Sequence, residues 1–327
     1  MSGYFRLDAV ILGAWIACLA IPLGAFAQQQ QTYRIGLLVS GGPGTYIDAM
    51  TDTLRQLGYV EGTNVSIERR FSEGNLDRLP VLANELIELR VDIIVAVSTP
   101  AALAAKQATA SIPIVFTPLS DPVGVGAVAS LARPGGNATG TSLMASDLSA
   151  KRLELLHTVV PQVSRIAILW DSSNPGMTLR VRETRMAADQ SRLALHSVGP
   201  RNLEELEAAF AELAKQRPDA LLVTTEPFTR RHLTRILDFA ASNRIPAMFE
   251  DVYYVDAGGL MSYGPNVRDL YQRSAVYVDK ILKGAKPADL PVAQATKFEM
   301  AINMRTAKAL GITFPRSILI RADNVIE

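Results

Sequence analysis

Two runs of consecutive apolar residues, Ile93–Val97 and Ile112–Phe116, flank an alanine-rich segment that begins near Pro100. Runs of about five apolar residues without alternation are typical of strands buried on both faces of a parallel sheet. A proline fits the first turn of a helix, where its missing N–H is not needed. The pattern therefore predicts a strand–helix–strand unit over residues 91–124.

Polar residues follow both strands of this unit directly. Ser98 and Thr99 come after the first strand, and Ser120 and Asp121 come after the second. In open α/β sheets, ligands bind just beyond the carboxyl ends of the strands. These two strand ends are therefore the first candidates for a binding site.

Strands and helices alternate along the rest of the chain, which predicts parallel sheets covered by helices on both faces. The predicted strands before and after this unit are Tyr33–Val39, Asn64–Phe71, Ala194–Val198 and Phe298–Asn303, and further strands are predicted within Arg165–Asp171, Asp219–Pro227 and Ile245–Phe249. The predicted helices are Tyr46–Leu57, Asp77–Arg90, Thr178–Leu193, Leu203–Gln216, Val267–Leu282 and Thr306–Leu310.

Three segments of the first half recur in the second half, in the same order and at offsets near 130 residues. Arg165–Asp171 parallels Arg34–Ser40, Asp219–Pro227 parallels Asp92–Pro100, and Ile245–Phe249 parallels Ile112–Phe116. The sequence therefore predicts an α/β protein with two copies of one lobe. We expect residues 34–142 plus about 264–290 in the first lobe, and 143–263 plus about 291–327 in the second.

Two similar lobes that face each other would present equivalent strand ends to one shared cleft. The repeat pairs Ser40 with Asp171, Ser98-Thr99 with Thr225-Glu226, and Ser120-Asp121 with the Glu250-Asp251 region. Short strands after two glycine turns lead to Ser142 and Tyr263, which are expected near the crossings between the lobes. The loop with Gly41 and Gly42 suits a close approach of backbone to a small ligand, or a plain turn.

These residue types suit a small ligand that carries both an acidic and a basic group. Free N–H groups and hydroxyls at the helix start after Ser98 would bind a carboxylate. Acidic residues at the strand ends, such as Asp121 and Glu226, would pair with an ammonium group, as an α-amino acid requires. Hydroxyl-rich ligands would fit as well, and helix caps or surface turns explain the same residues without a ligand.

Composition narrows the function further. The net charge is +1, from 33 basic and 32 acidic residues, so no overall field favours nucleic acid. The one cysteine, Cys18, lies in the N-terminal leader, and three dispersed histidines give no metal-ligand spacing. Nucleophile motifs are absent from the sequence, so we expect no enzyme, no cofactor and no metal.

The N-terminus has the pattern of an export signal. Arg6 precedes an apolar stretch over Val10–Phe26, and Ala25-Phe26-Ala27 is a small-x-small cleavage pattern. We expect residues 1–27 to be a signal peptide and the protein to reach the periplasm. An uncleaved membrane anchor is the alternative.

From Arg34 to Glu327 the chain resembles the tryptophan-binding-like family of substrate-binding proteins of ABC transporters. The resemblance rests on several motifs taken together: Gly58-Tyr59, Asp92 to Ala102, Ile112–Val115, Asp121–Gly124, Arg133–Gly140, Leu282–Ala288 and Ala309–Ile312. It implies a fold similar to periplasmic binding proteins of type I, with two Rossmann-like lobes joined by hinge segments. It also implies capture of a small solute and delivery to an ABC permease with a cytoplasmic ATPase.

By position, the resemblance places ligand contacts at Thr99, Asp121, Ser142, Glu226 and Asn266 and in the loop Ser40–Gly42. The chain departs from the aromatic-amino-acid binders in its second lobe, with Glu226-Pro227 and Glu250-Asp251. Ligand choice is therefore expected to depend on the second lobe. A sensory protein that hands its solute to a receptor, and a two-lobed enzyme that acts in the same cleft, are the alternatives.

Overall fold

The computed structural model describes residues 32–143 and 148–327, which form one compact unit. The predicted signal peptide, residues 1–27, lies outside the described residues. Within the described part of the chain, the helices are all too short or too polar to cross a membrane.

Thirteen strands and twelve α-helices are found in these two ranges. The strands are β1 Tyr33–Val39, β2 Val65–Phe71, β3 Ile93–Val97, β4 Ile114–Leu119, β5 Ala138–Ser142, β6 Arg165–Leu169, β7 Ala194–Val198, β8 Ala220–Val223, β9 Ala247–Phe249, β10 Met261–Pro265, β11 Ala293–Gln294, β12 Phe298–Asn303 and β13 Asn324–Ile326. The helices are α1 Thr45–Gln56, α2 Leu79–Glu88, α3 Thr99–Ala108, α4 Ser149–Val159, α5 Pro175–Gln190, α6 Leu203–Gln216, α7 Pro227–Arg231, α8 Leu233–Ser242, α9 Val252–Asp256, α10 Val267–Leu282, α11 Met304–Leu310 and α12 Arg316–Leu319.

The strands form two sheets, one in each lobe. The first sheet has the order β11-β5-β4-β3-β1-β2, and the second has the order β13-β12-β10-β9-β8-β6-β7. The five strands β1 to β5 and their counterparts β6 to β10 follow the same spatial order. The duplication predicted from the sequence is thus present in the topology, and the chain has the predicted α/β class.

The apolar runs form the centres of the two sheets, as their uninterrupted pattern predicts. All five residues of β3 are buried, and β3 pairs in parallel with β1 and β4. In the second lobe β8 is buried throughout and pairs in parallel with β6 and β9. Helices cover both faces of each sheet, so the carboxyl ends of the central strands are the places where polar groups can meet a ligand.

The chain crosses between the lobes three times, and the crossings lie side by side. They follow β5, β10 and β11. The N–H of Ala295 donates to the carbonyl of Ser142 at 3.1 Å, and the N–H of Asn266 donates to the carbonyl of Lys297 at 2.9 Å. These bonds join the crossing segments to one another, so the lobes are connected by one narrow region.

The tail divides between the lobes at different residues from those expected. The whole of β10, including Gly264 and Pro265, belongs to the second sheet, and α10 packs on α1 and β4 of the first lobe. Strand β11 pairs with β5 in the first sheet, whereas the sequence-based boundary gave residues from 291 onward to the second lobe. A strand of two residues has no hydrophobic period, so its partner is decided only by the fold.

Some helices also differ from the predicted ones. Helix α4 was not predicted, and α5 begins at Pro175 and ends at Gln190, three residues before each predicted bound. Asn174 caps α5 by accepting the N–H of Gly176 at 3.1 Å, which fixes this earlier start. Arg180 lies in the second turn of α5, at the boundary between the lobes.

Candidate functional site

A cavity of about 400 Å³ lies between the lobes at the carboxyl ends of the central strands. Its volume falls in the range of small-molecule sites, about 300–1,000 Å³. Residues from the first lobe and from the second lobe contribute to its lining. Those used below are Gly41, Gly42, Tyr46, Glu73, Ser98, Thr99, Ser120, Asn174, Thr225, Glu226, Arg230, Arg231, Asp251, Tyr253 and Tyr271.

The first lobe contributes the starts of α1 and α3. Neither helix has a side-chain hydrogen bond at its cap residue, Gly44 or Ser98. Uncapped N–H groups at a helix start attract anions, because the helix dipole adds a partial positive charge there. Two such starts on one side of the cavity therefore offer backbone donors to a ligand.

Ser98 has a strained backbone, with φ of 86° in the region that favours glycine. Its hydroxyl lies 2.5 Å from the hydroxyl of Ser40, the first residue after β1. A hydrogen bond between these two strand ends holds the start of α3 in place. Strain of this kind persists only where the surrounding structure enforces it, and it clusters at ligand sites.

Glu250 in the second lobe is held by two buried arginines. Its Oε1 lies 2.9 Å from Nη1 of Arg152, and its Oε2 is bound by Nη1 of Arg180 and by the N–H of Thr225. All three side chains of this cluster are at most 5% exposed. A buried carboxylate with this many donors is fully paired and serves to fix its neighbours.

Arg180 also connects the lobes. Its Nη2 donates to the hydroxyl of Ser120, in the first lobe, at 2.6 Å. Burial of both residues protects this bond from water. Because Arg180 is bound to Glu250 on the other side, the closed arrangement joins the two lobes through one continuous polar chain.

Asp251 is likewise surrounded by donors. It accepts the hydroxyl of Tyr46 at 2.6 Å and the N–H of Tyr253 at 3.1 Å, and Nη2 of Arg230 lies 3.1 Å from its Oδ2. Burial raises the pKa of Asp251 and the charge of Arg230 opposes this shift. Tyr46 comes from the first lobe, so this cluster is a second polar link across the cavity.

The guanidinium of Arg230 is stacked between two aromatic rings. Its central carbon lies 4.6 Å from the ring centre of Tyr46 and 4.3 Å from that of Tyr253. Stacking of a planar cation on aromatic faces is favourable and restricts the side chain to one orientation. The structure thus holds one cation rigidly against the cavity.

Glu226 lies at the start of α7 and is 5% exposed. Its carboxyl group accepts the N–H of Asp171 at 2.6 Å, the hydroxyl of Thr224 at 2.7 Å and the amide of Asn174 at 3.2 Å. Burial, reinforced by the nearby charge of Asp171, raises the pKa of Glu226 to about 8. At neutral pH this side chain is therefore mostly protonated.

Seven of the predicted site residues line the cavity: Gly41, Gly42, Ser98, Thr99, Thr225, Glu226 and Asp251. Ser40 and Asp171 line a neighbouring cavity of about 390 Å³ between the lobes. Burial raises the pKa of Asp171, while its bonds to Ser173 oppose this shift. Glu250 lies behind the lining, where it orders the two arginines described above.

The structure places four predicted residues away from this cavity. Asp121 accepts the N–H of Gly124 at 2.8 Å within its own turn. Ser142 ends β5 at the first crossing, and Asn266 caps α10 by accepting the N–H of Asp269 at 2.7 Å. The carbonyl of Tyr263 accepts a hydrogen bond from Nε of Arg152, and the Tyr263 ring packs on the core of the second lobe.

Sequence reasoning missed several lining residues because they do not follow a strand directly. Tyr46 lies in the first turn of α1, Arg230 near the end of α7 and Tyr271 in α10. Tyr253 also lines the cavity, whereas its neighbour Tyr254 is fully buried in the core. The position of Tyr46 two residues after Gly44, in the first turn of a helix, was the available signal.

Comparison with known proteins agrees with this architecture. The model of the ABC transporter substrate-binding protein family matches residues 41–326. The chain belongs to this family. A curated relative, the tyrosine-binding protein of Clostridioides difficile, is 29% identical over 272 residues, covering 83% of this chain and 76% of that protein.

Two solved structures allow the arrangement of the lobes to be compared. A tryptophan complex from Streptococcus pneumoniae is 27% identical, with a TM-score of 0.84 over 90% of this chain and 100% of that one. The ligand-free, open structure of an adhesive substrate-binding protein from Clostridium difficile is also 27% identical, with a TM-score of 0.64 over 90% of this chain and 99% of that one. At equal identity, the ligand-bound structure is much more similar to this chain. The lobes are thus arranged more as in the tryptophan complex than as in the open structure, and the predicted two-lobed fold is confirmed.

Proposed function

We propose that this protein is the extracytoplasmic solute-binding component of an ABC importer. It captures a small polar solute, an amino acid or a related carboxylate, between its lobes and delivers it to a membrane permease. The observation that carries the proposal is the cavity between the lobes, which residues of both lobes line and which polar contacts close.

Closure follows from contacts that exist only when the lobes meet. The bonds from Tyr46 to Asp251 and from Arg180 to Ser120 both cross the cavity. A ligand that touches both lobes adds further contacts to the closed state and shifts the population toward it. A permease could then distinguish the loaded protein from the empty one by its shape.

The arrangement supports binding rather than turnover. Among the described residues, Glu226, Glu250 and Asp251 each already accept hydrogen bonds or ion pairs from protein donors. One relative named above is a tyrosine-binding protein, and another was solved in complex with tryptophan. We propose that the ligand of this chain is an amino acid or a related carboxylate, with the exact solute set by the second lobe.

Native mass spectrometry of the protein purified from its own cells tests the proposal. The expected result is one small solute bound per chain and released on unfolding. Isothermal titration should then show that the same solute binds again. A released molecule that is converted to a product during incubation would indicate an enzyme instead. Failure of all amino acids and organic acids to bind would contradict the proposal.

Export is part of the same proposal. Processing after Ala27 would leave a mature chain that begins at Gln28. N-terminal sequencing of the protein from the periplasmic fraction should read this start. Recovery of the full-length chain in the membrane fraction would favour the uncleaved anchor.

A further inference from the structure

The basic and acidic residues that line the cavity differ in how far they are free to bind a ligand. Two are basic, Arg230 and Arg231, and three are acidic, Glu73, Glu226 and Asp251. What a ligand can use depends on which of these already have partners and which still have free donors or acceptors. The two inner acids, Glu226 and Asp251, are the ones that an ammonium group of a ligand would need.

Both inner acids are already occupied. Asp251 accepts hydrogen bonds from Tyr46 and Tyr253 and is paired with Arg230. Glu226 accepts hydrogen bonds from three donors of the second lobe. Because burial also keeps Glu226 mostly protonated at neutral pH, it supplies little counter-charge. The third acid, Glu73, is exposed beside Gly42 at the mouth, where an ammonium group would remain hydrated.

Arg230, by contrast, still has donors to offer. Its Nη2 is bound to Asp251. Its Nε has no partner but is shielded from solvent, and no residue in the described ranges accepts a hydrogen bond from its Nη1. The side chain is 27% exposed and is fixed between two tyrosine rings. A rigid guanidinium with spare donors is a preorganised site for a carboxylate.

The other residues of the lining indicate what the rest of the ligand is like. Tyr253 and Tyr271 lie near Arg230, and apolar side chains such as Val97, Pro118 and Met177 complete the walls. Walls of this kind favour an apolar or aromatic group. Arg231 is exposed to solvent, so the inner lining combines the cation of Arg230 with apolar surface and has no free anion among the described residues.

We propose that the solute of this protein is an organic acid with an apolar or aromatic body, whose carboxylate binds Arg230 and which needs no ammonium group. This inference rests on the proposed function, because it names the ligand class of that same cavity. It separates this chain from a binder of α-amino acids, for which a charged ammonium partner is required.

Matched pairs of ligands test the inference on the wild-type protein. Each amino acid is compared by titration calorimetry with the acid that lacks only its amino group: alanine with propanoate, leucine with methylpentanoate, phenylalanine with phenylpropanoate, tyrosine with hydroxyphenylpropanoate, and tryptophan with indolepropanoate. For the pair that binds best, we expect the acid to retain the affinity of the amino acid within tenfold. The corresponding amines, phenethylamine and tyramine, should not bind.

A variant series then assigns the carboxylate to Arg230. Arg230→Met should weaken binding of the best acid more than tenfold, and Arg230→Lys should weaken it less, since it keeps the charge but not the planar fork. Arg235→Gln removes an exposed arginine of α8 that pairs with Glu207 and should bind as the wild type does. Thermal melting of each variant checks that it folds.

The failures of the two proposals are distinguishable. An amino acid that binds more than tenfold tighter than its acid would overturn this inference while leaving the solute-binding function intact. Undiminished binding of the best acid to a folded Arg230→Met variant would also overturn it. If no member of either series binds, the proposed function itself is wrong, and this inference falls with it.

Discussion

The hydroxyl of Tyr46 donates a hydrogen bond of 2.6 Å to Oδ1 of Asp251, and the two residues belong to different lobes. Both are buried, so the bond forms only when the lobes have met and water has left. The same carboxylate orients Arg230 against the cavity. Closure of the lobes and completion of the binding surface are therefore one event.

Removal of this hydroxyl should weaken ligand binding. In Tyr46→Phe, Asp251 loses a buried donor only in the closed state, which costs about 1–2 kcal/mol. We expect a five- to thirtyfold loss of affinity for the solute recovered with the protein, measured by titration calorimetry. Tyr33→Phe is the matched control, because Tyr33 donates to the Leu282 carbonyl within the first lobe, and its affinity should not change. Equal losses in both variants would contradict a role of Tyr46 in closure.

Ser120 and Arg180 should separate closure from stability. Ser120→Ala removes the bond between the lobes but leaves Arg180 paired with Glu250, so we expect lower affinity with a melting temperature close to that of the wild type. Arg180→Met leaves Glu250 with one arginine fewer in a buried site, and we expect a loss of about 3–5 kcal/mol in the free energy of unfolding. Titration calorimetry measures the affinity, and chemical denaturation measures the stability of both variants. A Ser120→Ala protein as unstable as Arg180→Met would show that Ser120 supports the fold rather than closure.

Gly176 limits how closely the lobes can meet. A Cβ at this position in α5 would lie 2.7 Å from Oγ1 of Thr99, which belongs to the first lobe. In Gly176→Ala the helix of the second lobe should be no less stable, since alanine favours helices, but the lobes would be held apart. We expect weaker binding with an unchanged or higher melting temperature of the empty protein. Gly136→Ala, where a Cβ meets nothing within 4 Å, is the control. An affinity of Gly176→Ala equal to that of the control would refute the close approach.

Glu226 should make stability depend on pH. Its pKa is about 8 in the folded protein and near 4.5 when unfolded, so the folded state binds more protons between these values. The stabilisation is complete below pH 4.5 and is lost as the pH rises through 8. In Glu226→Gln this part of the pH dependence should disappear, so the melting temperature of the variant should fall less than that of the wild type between pH 5 and pH 8.5. Parallel curves for the two proteins would show that Glu226 does not titrate in this range.

Most of the fold could be predicted from the sequence because it follows from local patterns. Unbroken apolar runs such as Ile93–Val97 are recognisable as buried parallel strands, and the repeat at Asp219 reveals the second lobe. Elements that have no hydrophobic period of their own escaped this reasoning. The two-residue strand β11 and the short helices α7 and α9 exist because the surrounding structure places them.

By itself the sequence determined two α/β lobes and the polar strand ends that face each other, since strand direction and helix caps are local properties. Only the tertiary structure decided what those polar residues do. Glu250 is paired with arginines that lie 98 and 70 residues earlier in the chain. Asp251 is paired with Arg230 and accepts a hydrogen bond from Tyr46. Which carboxylate is paired and which cation keeps free donors depends on distances between lobes, and these exist only once the chain has folded and closed.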